Sequence, residues 1–372
     1  MPRTSGKTRA GLWLALALGV GPGGSGCTHL PPISGTFRGD ARVAADATVR
    51  ASADATVRGS LEVKVPTATD PGPMVPVAVR AGRGGSRVAL VDVDGLILNQ
   101  NLTGLYSVGE NPVAAFREKL DAAAADPRVC AMVIRINSPG GGVTATDILA
   151  EELRRYKQAT GRPVVACLMD LATGGGYYLA LGADAIVAHP TTITGGIGAI
   201  LNHYNLQDAM AQLNLVAEPI RSGPLVDLGS VLGPLSDDSR RLLQGMVDGF
   251  RDRFRARLVE HRPQINPEDM QRLDDGRVVP AAGALAMRLV DRVGYVHDAI
   301  DEAERRASAS GSEVVLFQRA GYPGRSLYAI TPNTPIQGEV VPFSYPGLDR
   351  AKIPTFLYLW QPDPTALKQG GR

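Results

Sequence analysis

The chain has 372 residues, of which 44% are hydrophobic and 20% are charged, so it can bury a sizeable core in one large domain or two small ones. Its 39 lysines and arginines are scattered among 37 aspartates and glutamates, which leaves a formal net charge of +2. A charge pattern without blocks of one sign argues against a nucleic-acid partner and against a polybasic membrane-surface segment.

Residues 1–27 are predicted to be an export signal. A basic start is followed by the apolar stretch "AGLWLALALGV" (residues 10–20) and by small residues up to Cys27. The apolar stretch is shorter than the ~20 residues that span a bilayer. The end of the segment resembles a bacterial lipoprotein signal, which implies a lipid on Cys27, although Gly24 stands where such signals usually carry leucine. Simple cleavage by a signal peptidase and an uncleaved start are the alternatives.

Residues 28–86 are predicted to form a flexible tether. The octapeptide "ADATVRAS" (residues 45–52) is followed directly by "ADATVRGS" (residues 53–60) and then by a stretch rich in proline, threonine and aspartate. Because large apolar side chains are few, burial cannot offset the entropy lost on ordering this segment. A short hairpin formed by the two repeats is the alternative to an extended spacer.

Residues 87–308 alternate between strand and helix patterns, which predicts an α/β domain with parallel strands and right-handed crossovers. Hydrophobic periodicity predicts, in chain order, a strand at 87–97, a helix at 111–125, a strand at 129–136, a helix at 144–160 and a strand at 163–169. A long helix is predicted to start near Ser236, because apolar side chains then recur every three or four residues, and helical segments continue to about Ser308.

Residues 309–372 are predicted to be a C-terminal extension rich in proline and glycine. It contains the apolar, aromatic sequence "PTFLYLWQPDP" (residues 354–364). We expect this patch to pack on the domain or on a neighbouring subunit rather than to face solvent.

Cys130 and Cys167 lie within apolar runs, so we expect free core thiols rather than a disulfide or a reactive cysteine. Neither cysteine has the spacing to other ligands that is typical of a metal site, and no metal is predicted.

Two glycine-rich turns follow the predicted strands. In "NSPGGG" (residues 137–142) the glycines serve either a turn with positive φ or an anion site, in which the amides of Gly140 and Gly141 face a developing oxyanion. The second turn, "TGGGYY" (residues 173–178), opens a helix. Since no Walker sequence or GxGxxG follows the first strand, no nucleotide cofactor is predicted.

Four stretches together resemble the signal peptide peptidase A family, also called protease IV, over residues 87 to about 308. They are, in order, "RINSPGGGVTATDIL", "PVVACLMDLATGGGYYLALGADAIVAHPTTITGGIGAI", "IRSGPLVDLGS" and "DGRVVPAAGALAMRLVDRVG". The resemblance implies a Clp protease/crotonase-like fold, a spiral of ββα units with a helical C-terminal part, that assembles into oligomers. It also implies cleavage of peptides in or near membranes by a serine nucleophile and a lysine base, without a cofactor.

This chain departs from the family at both catalytic positions. The family's nucleophile turn reads Ala-Ser-Gly-Gly-Tyr-Tyr, and alignment on the glycines and tyrosines puts Gly174 at the serine. The family's base lies in a Ser-Gly-x-x-Lys segment, which puts Val226 at the lysine. The oxyanion and peptide-binding positions Gly140, Gly141 and Gly175 are kept. The sequence therefore predicts an oxyanion-hole scaffold without its reactive groups.

The side chains that could replace the missing serine and lysine are poor candidates. Thr173 is adjacent to Gly174, but its side chain should point about 100° away, and the chain has no lysine between residues 158 and 351 to activate it. Ser138 lies in the first glycine turn without an assigned base. His189 and His203 are expected to be structural.

The sequence thus supports a peptide-binding pseudopeptidase, anchored in a bacterial cell envelope by the lipid on Cys27 and facing the periplasm. Its expected partners are peptides, other copies of the chain or an active paralogue. Two enzymatic hypotheses stay open: a weakly active serine- or threonine-type endopeptidase that uses Thr173 or Ser138, and an acyl-thioester enzyme of the crotonase type.

Overall fold

The computed structural model describes residues 72–101, 110–319, 324, 326–329 and 356–360. The predicted export signal, Cys27, and the predicted tether up to residue 71 lie outside the described residues.

The described residues form ten strands and eight helices. The strands are β1 (Met74–Arg80), β2 (Arg87–Ile97), β3 (Val129–Gly142), β4 (Val164–Thr173), β5 (Ala185–Ala188), β6 (Ile193–Gly195), β7 (Val278–Pro280), β8 (Arg292–Val293), β9 (Glu313–Arg319) and β10 (Leu357–Leu359). The helices are α1 (Pro112–Ala125), α2 (Val143–Thr160), α3 (Gly175–Ala180), α4 (Gln207–Gln212), α5 (Asp237–His261), α6 (Pro267–Leu273), α7 (Ala281–Ala286) and α8 (Val296–Arg306).

The strands form one mixed sheet in the order β1-β9-β2-β3-β4-β5-β8. Neighbours from β9 to β8 along this path run parallel, while β1 is antiparallel to β9. The sheet forks at β4, whose first half pairs with β5 and whose second half, Leu171–Thr173, pairs with β6. The predicted α/β class with parallel strands and a helical C-terminal part is confirmed.

Two apolar clusters cover opposite faces of the central strands. Alternate residues of β2 belong to different clusters, with Ala89 and Val91 on the α1–α2 side and Val88 and Leu90 on the α8 side. This burial on both faces explains why the strands are continuous apolar runs in the sequence.

The sheet extends beyond both ends of the predicted 87–308 domain. Strand β1 lies within the predicted tether of residues 28–86, where Val75 and Val77 pair with β9. Strands β9 and β10 lie within the predicted extension of residues 309–372. The sequence does not distinguish these strands from a linker, because they are short and flanked by proline and glycine.

The "NSPGGG" sequence is not a turn, because β3 continues to Gly142 and α2 follows at once. Pairing on both sides explains the long strand: Leu96 and Ile97 of β2 lie opposite Gly140 and Gly141, and β10 lies against the same glycines. The positive φ expected there is present at Gly140, with a value of 102°.

The long predicted helix is α5, and Ser236 caps it by accepting a hydrogen bond from the amide of Ser239 at 3.1 Å. Its apolar stripe is buried only in part, since Phe254 and Leu258 are fully buried but Met246 is 39% exposed. Among the described residues, no helix has the length and apolar character needed to cross a membrane.

Candidate functional site

A sharp strand-to-helix turn lies at Gly174, between the end of β4 at Thr173 and the start of α3 at Gly175. Gly174 has φ 52° and ψ −119°, a conformation that residues with a side chain rarely adopt. Its amide donates to the carbonyl of Gly195 and its carbonyl accepts from the amide of Tyr178, both at 2.9 Å. Strained turns of this kind present the nucleophile in several hydrolase families. In this chain the residue at the turn is glycine, so the turn presents no side chain.

Strand β10 lies antiparallel on the end of β3. Leu357, Tyr358 and Leu359 lie opposite Gly142, Gly141 and Gly140. Backbone hydrogen bonds at both ends extend the ladder: the amide of Val143 donates to the carbonyl of Phe356 and the amide of Trp360 donates to the carbonyl of Pro139, both at 3.1 Å. We call Phe356–Trp360 the docked strand.

The other edge of the docked strand is also paired. Leu357 and Ile200 exchange two backbone hydrogen bonds, of 2.9 and 3.0 Å. The docked strand therefore lies between two backbones, with Gly174 beside it. We call the space bounded by Gly140–Gly142, Ile200 and Gly174 the glycine groove.

The peptide bond from Tyr358 to Leu359 lies directly against Gly174. A Cβ atom on Gly174 would lie 2.4 Å from the carbonyl oxygen of Tyr358, 2.7 Å from its carbonyl carbon and 3.0 Å from the amide nitrogen of Leu359. A Cβ atom on Gly140 would lie 1.9 Å from the same carbonyl oxygen. The docked strand thus holds a peptide bond where the family's serine would stand, and it fits only because both positions are glycine.

The predicted oxyanion glycines meet at this carbonyl. In an antiparallel ladder, every second pair of opposite residues is hydrogen-bonded through the backbone. Phe356 with Val143 and Trp360 with Pro139 are such pairs, so the pair midway between them, Tyr358 with Gly141, is one as well. The amide of Gly140 instead donates to Ser138 Oγ at 3.1 Å. Gly141 is therefore the better placed of the two amides predicted from the first glycine sequence.

Gly175 is held close to the same place. A Cβ atom on Gly140 would lie 2.6 Å from the amide nitrogen of Gly175. A Cβ atom on Gly175 itself would lie 2.4 Å from Thr146 Oγ1, a buried hydroxyl that has no hydrogen-bond partner among the described residues. Position 175 therefore needs glycine for α2 and α3 to pack.

The side chain of Tyr358 fills a pocket formed by α3 and α5. Its ring is fully buried, stacks on Tyr178 with 5.3 Å between centroids and packs on Phe254 at 5.1 Å. The hydroxyl donates to the backbone carbonyl of Phe250 at 2.7 Å. The neighbouring side chain of Phe356 packs on Phe250 with centroids 5.0 Å apart. We call this the tyrosine pocket.

Charged groups close the outer side of the tyrosine pocket. Tyr178 donates from its hydroxyl to Asp147 at 2.7 Å, Arg253 binds the same carboxylate at 2.8 Å, and the guanidinium of Arg257 lies 4.8 Å from the Tyr178 ring centroid. Burial, followed by the contact with Asp147, raises the pKa of Tyr178 to about 12. Burial also raises the pKa of Tyr358. Both phenols are therefore neutral donors at physiological pH.

The two hydroxyls considered as substitute nucleophiles are buried and bonded. Thr173 Oγ1 donates to the carbonyl of Pro139 at 3.2 Å, and Ser138 Oγ donates to the carbonyl of Gly95 at 2.6 Å while it accepts from Gly140. Both side chains are fully buried. Their hydrogen bonds fasten the end of β3.

Val226, predicted at the base position, lies in an exposed turn between α4 and α5, and its side chain is 69% exposed. His189 is structural, since its Nδ1 lies 2.8 Å from Thr191 Oγ1 and its ring packs edge-on against Tyr295.

Sequence reasoning missed the docked strand and the tyrosine pocket. The alternation of Phe356, Tyr358 and Trp360 with leucines is typical of a strand. A strand pattern, however, does not identify the edge with which it pairs. The described residues also contain no cluster of histidine, cysteine and carboxylate side chains able to hold a metal ion.

The parallel sheet that forks at β4 and the strained turn at Gly174 define a Clp protease/crotonase-like α/β protein. Residues 156–310 match the model of peptidase family S49. This match and the relatives described below support placement of the chain in the signal peptide peptidase A family of serine peptidases.

Three relatives illustrate the extent of the similarity. A relative from Enterococcus faecium that carries the name signal peptide peptidase SppA is 27% identical over 64% of this chain and 68% of its own length. Protease 4 from Salmonella typhi is 29% identical over 63% of this chain, and the chloroplastic serine protease SPPA from Arabidopsis thaliana is 28% identical over 66%. The chain spans only 37% and 36% of those two relatives.

One solved structure, of a mutant 1510-N membrane-bound stomatin-specific protease, is 13% identical. The match covers 62% of this chain and 97% of the other, with a TM-score of 0.38.

Proposed function

We propose that this chain is a pseudopeptidase, a family member that binds extended peptides and does not hydrolyse them. The docked strand carries the proposal, because an extended segment lies in the glycine groove with a peptide bond against Gly174. Strand addition of this kind provides affinity through the backbone and specificity through pockets for alternate side chains.

The chemistry of the groove supports binding without turnover. The family's serine is replaced by Gly174 and its lysine by Val226, while Thr173 and Ser138 are buried and bonded. An acyl transfer needs a nucleophile and a group that removes its proton. Gly141 can still polarise a carbonyl, but polarisation alone leaves the peptide intact.

The test is incubation of the purified protein with unfolded casein and with a synthetic signal peptide, followed by mass spectrometry. We expect intact substrates and no labelling by a serine-reactive fluorophosphonate. Cleavage that disappears in Thr173→Ala or in Ser138→Ala would replace this proposal by the weakly active endopeptidase. Cleavage that persists in both variants would overturn the assignment of the site as well.

We further propose that the lipid on Cys27 tethers the domain to a bacterial envelope membrane, facing the periplasm. The basic and apolar sequence before Cys27 and the proline-rich residues after it support this. Cys27→Ser should move the protein from the detergent-extracted membrane fraction to the soluble fraction. Unchanged partitioning with an unprocessed N-terminus would contradict the tether.

A further inference from the structure

We propose that the docked strand is the resident ligand of the glycine groove, and that an external peptide binds by displacing it. The preferred external ligand is an extended segment with tyrosine at the position of Tyr358. This inference rests on the proposed peptide-binding function and adds to it a ligand class and a means of regulation.

The backbone of the groove is complementary to one extended strand. Gly140–Gly142 pair with one edge of the docked strand and Ile200 pairs with the other. A strand bonded along both edges leaves no room for a second peptide in the same space. External binding and docking of Phe356–Trp360 therefore exclude each other.

Loss of the nucleophile and closure of the groove are linked through Gly174. The carbonyl oxygen of Tyr358 would lie 2.4 Å from a Cβ atom at this position, a separation that Cβ atoms in proteins essentially never show. A serine would push the strand away, so the groove of this chain can close only with glycine at position 174. Glycine at position 174 therefore removes the nucleophile and also allows the docked strand to occupy the glycine groove.

The tyrosine pocket sets the chemistry of the ligand. It accepts a flat aromatic ring between Tyr178 and Phe254, and its inner end offers the carbonyl of Phe250 as an acceptor. Phenylalanine would fill the pocket but leave this acceptor unpaired. A small or charged side chain would leave the apolar walls empty or bury an unpaired charge.

Covalent connection makes the docked strand a strong competitor. A tethered segment acts at an effective concentration of about millimolar, so a free peptide of equal intrinsic affinity binds only to the fraction of molecules whose groove is open. Weakening the docked strand should therefore raise the affinity for the same sequence supplied as a free peptide.

The test uses the full chain and a fluorescent peptide with the sequence of residues 354–362, "PTFLYLWQP". Anisotropy titrations compare the wild type with Tyr358→Ala, which empties the tyrosine pocket. We expect binding to the variant to be at least about tenfold tighter. Tyr328→Ala is the matched control, since Tyr328 is 58% exposed, whereas Tyr358 is fully buried. It should bind as the wild type does.

Two further measurements guard against a folding defect in Tyr358→Ala. Tyr358→Phe keeps the ring and should bind the probe with an affinity between those of wild type and Tyr358→Ala. In a Trp13→Phe background, Trp360 is the only tryptophan of the chain. Excess peptide with phenylalanine in place of its tryptophan should then shift Trp360 emission to the red as the docked strand leaves.

The outcomes separate the two proposals. Equal affinity of the wild type and both Tyr358 variants, with no change in Trp360 emission, would overturn the resident-ligand inference and leave peptide binding standing. Failure of the probe to bind the wild type and every variant would overturn the proposed function. A probe with serine at the tyrosine position should bind about 100-fold more weakly, and equal binding would overturn the assigned ligand class.

Discussion

A buried ion pair joins Asp92 of β2 to Lys119 of α1, with 3.0 Å between carboxylate and ammonium and side-chain exposures of 5% and 7%. The sequence around Lys119, "FREKLDAAAA", is typical of a solvated helix face. Burial of the lysine was not predictable, because it depends on a carboxylate that another element brings beside it.

Replacement of Lys119 by methionine should lower the free energy of unfolding by about 3–5 kcal/mol, since it removes the cation of a buried ion pair. Lys157→Met is the matched control. Its pair with Asp184 is partly exposed, at 27% and 32%, so the loss should be about 0–1 kcal/mol. Urea unfolding of both variants measures the difference. Equal losses would show that burial does not set the cost at Lys119.

Cys167 should be inert in the folded protein. Burial raises its thiol pKa to about 12, so only about one thiol in 10,000 is ionised at pH 8. Cys130 is partly exposed and donates a weak hydrogen bond to the carbonyl of Arg87 at 3.3 Å. Iodoacetamide at pH 8 should label Cys130 before Cys167, as read by mass spectrometry, and both in guanidinium. Rapid labelling of native Cys167 would contradict this.

At the level of elements, the sequence predicted the strands and helices with strong periodicity. The strand at residues 87–97 and the helix that follows 143 lie where their patterns indicate. The glycine-rich end of β3 was predicted as a turn, because the local pattern does not contain the two neighbouring strands that hold it extended. Long-range pairing, rather than propensity, decides such segments.

Helix α5 carries two interior glycines that no contact requires. A Cβ atom on Gly245 or Gly249 would meet no atom within 4 Å. Gly245→Ala and Gly249→Ala should each stabilise the protein by about 0.5–1 kcal/mol.

The contrasting control is Gly161, the left-handed cap of α2 with φ 66°, where alanine should destabilise. Thermal unfolding should show higher midpoints for both α5 variants and a lower midpoint for Gly161→Ala. Destabilisation at Gly245 would indicate a packing partner for this face of α5.

At the level of the whole molecule, the resemblance to the family predicted Gly174 as the degenerate nucleophile position, and Gly174 lies in a strand-to-helix turn with φ 52° and ψ −119°. The resemblance could not predict what occupies the groove. Val226, which the resemblance puts at the position of the family's base, is 69% exposed.

The segment between β6 and α5 supports a multimeric assembly. Residues 211–220 are all exposed, and three of their apolar side chains are largely bare: Leu213 at 71%, Val216 at 82% and Ile220 at 103%. Apolar groups clustered on one exposed segment are typical of a protein interface. A second copy of the chain is the proposed partner, because closed symmetric assemblies are the usual form of soluble oligomers.

Light scattering at micromolar concentration should therefore give the mass of a ring-like oligomer. Val216→Glu combined with Ile220→Glu should lower that mass towards the monomer, since a buried carboxylate without a partner opposes association. Gln271→Glu places a similar charge on an exposed position of α6, outside residues 211–220, and should leave the assembly intact. A monomer mass for the wild type would contradict the assembly. The same oligomer mass in the double variant would move the interface away from this segment.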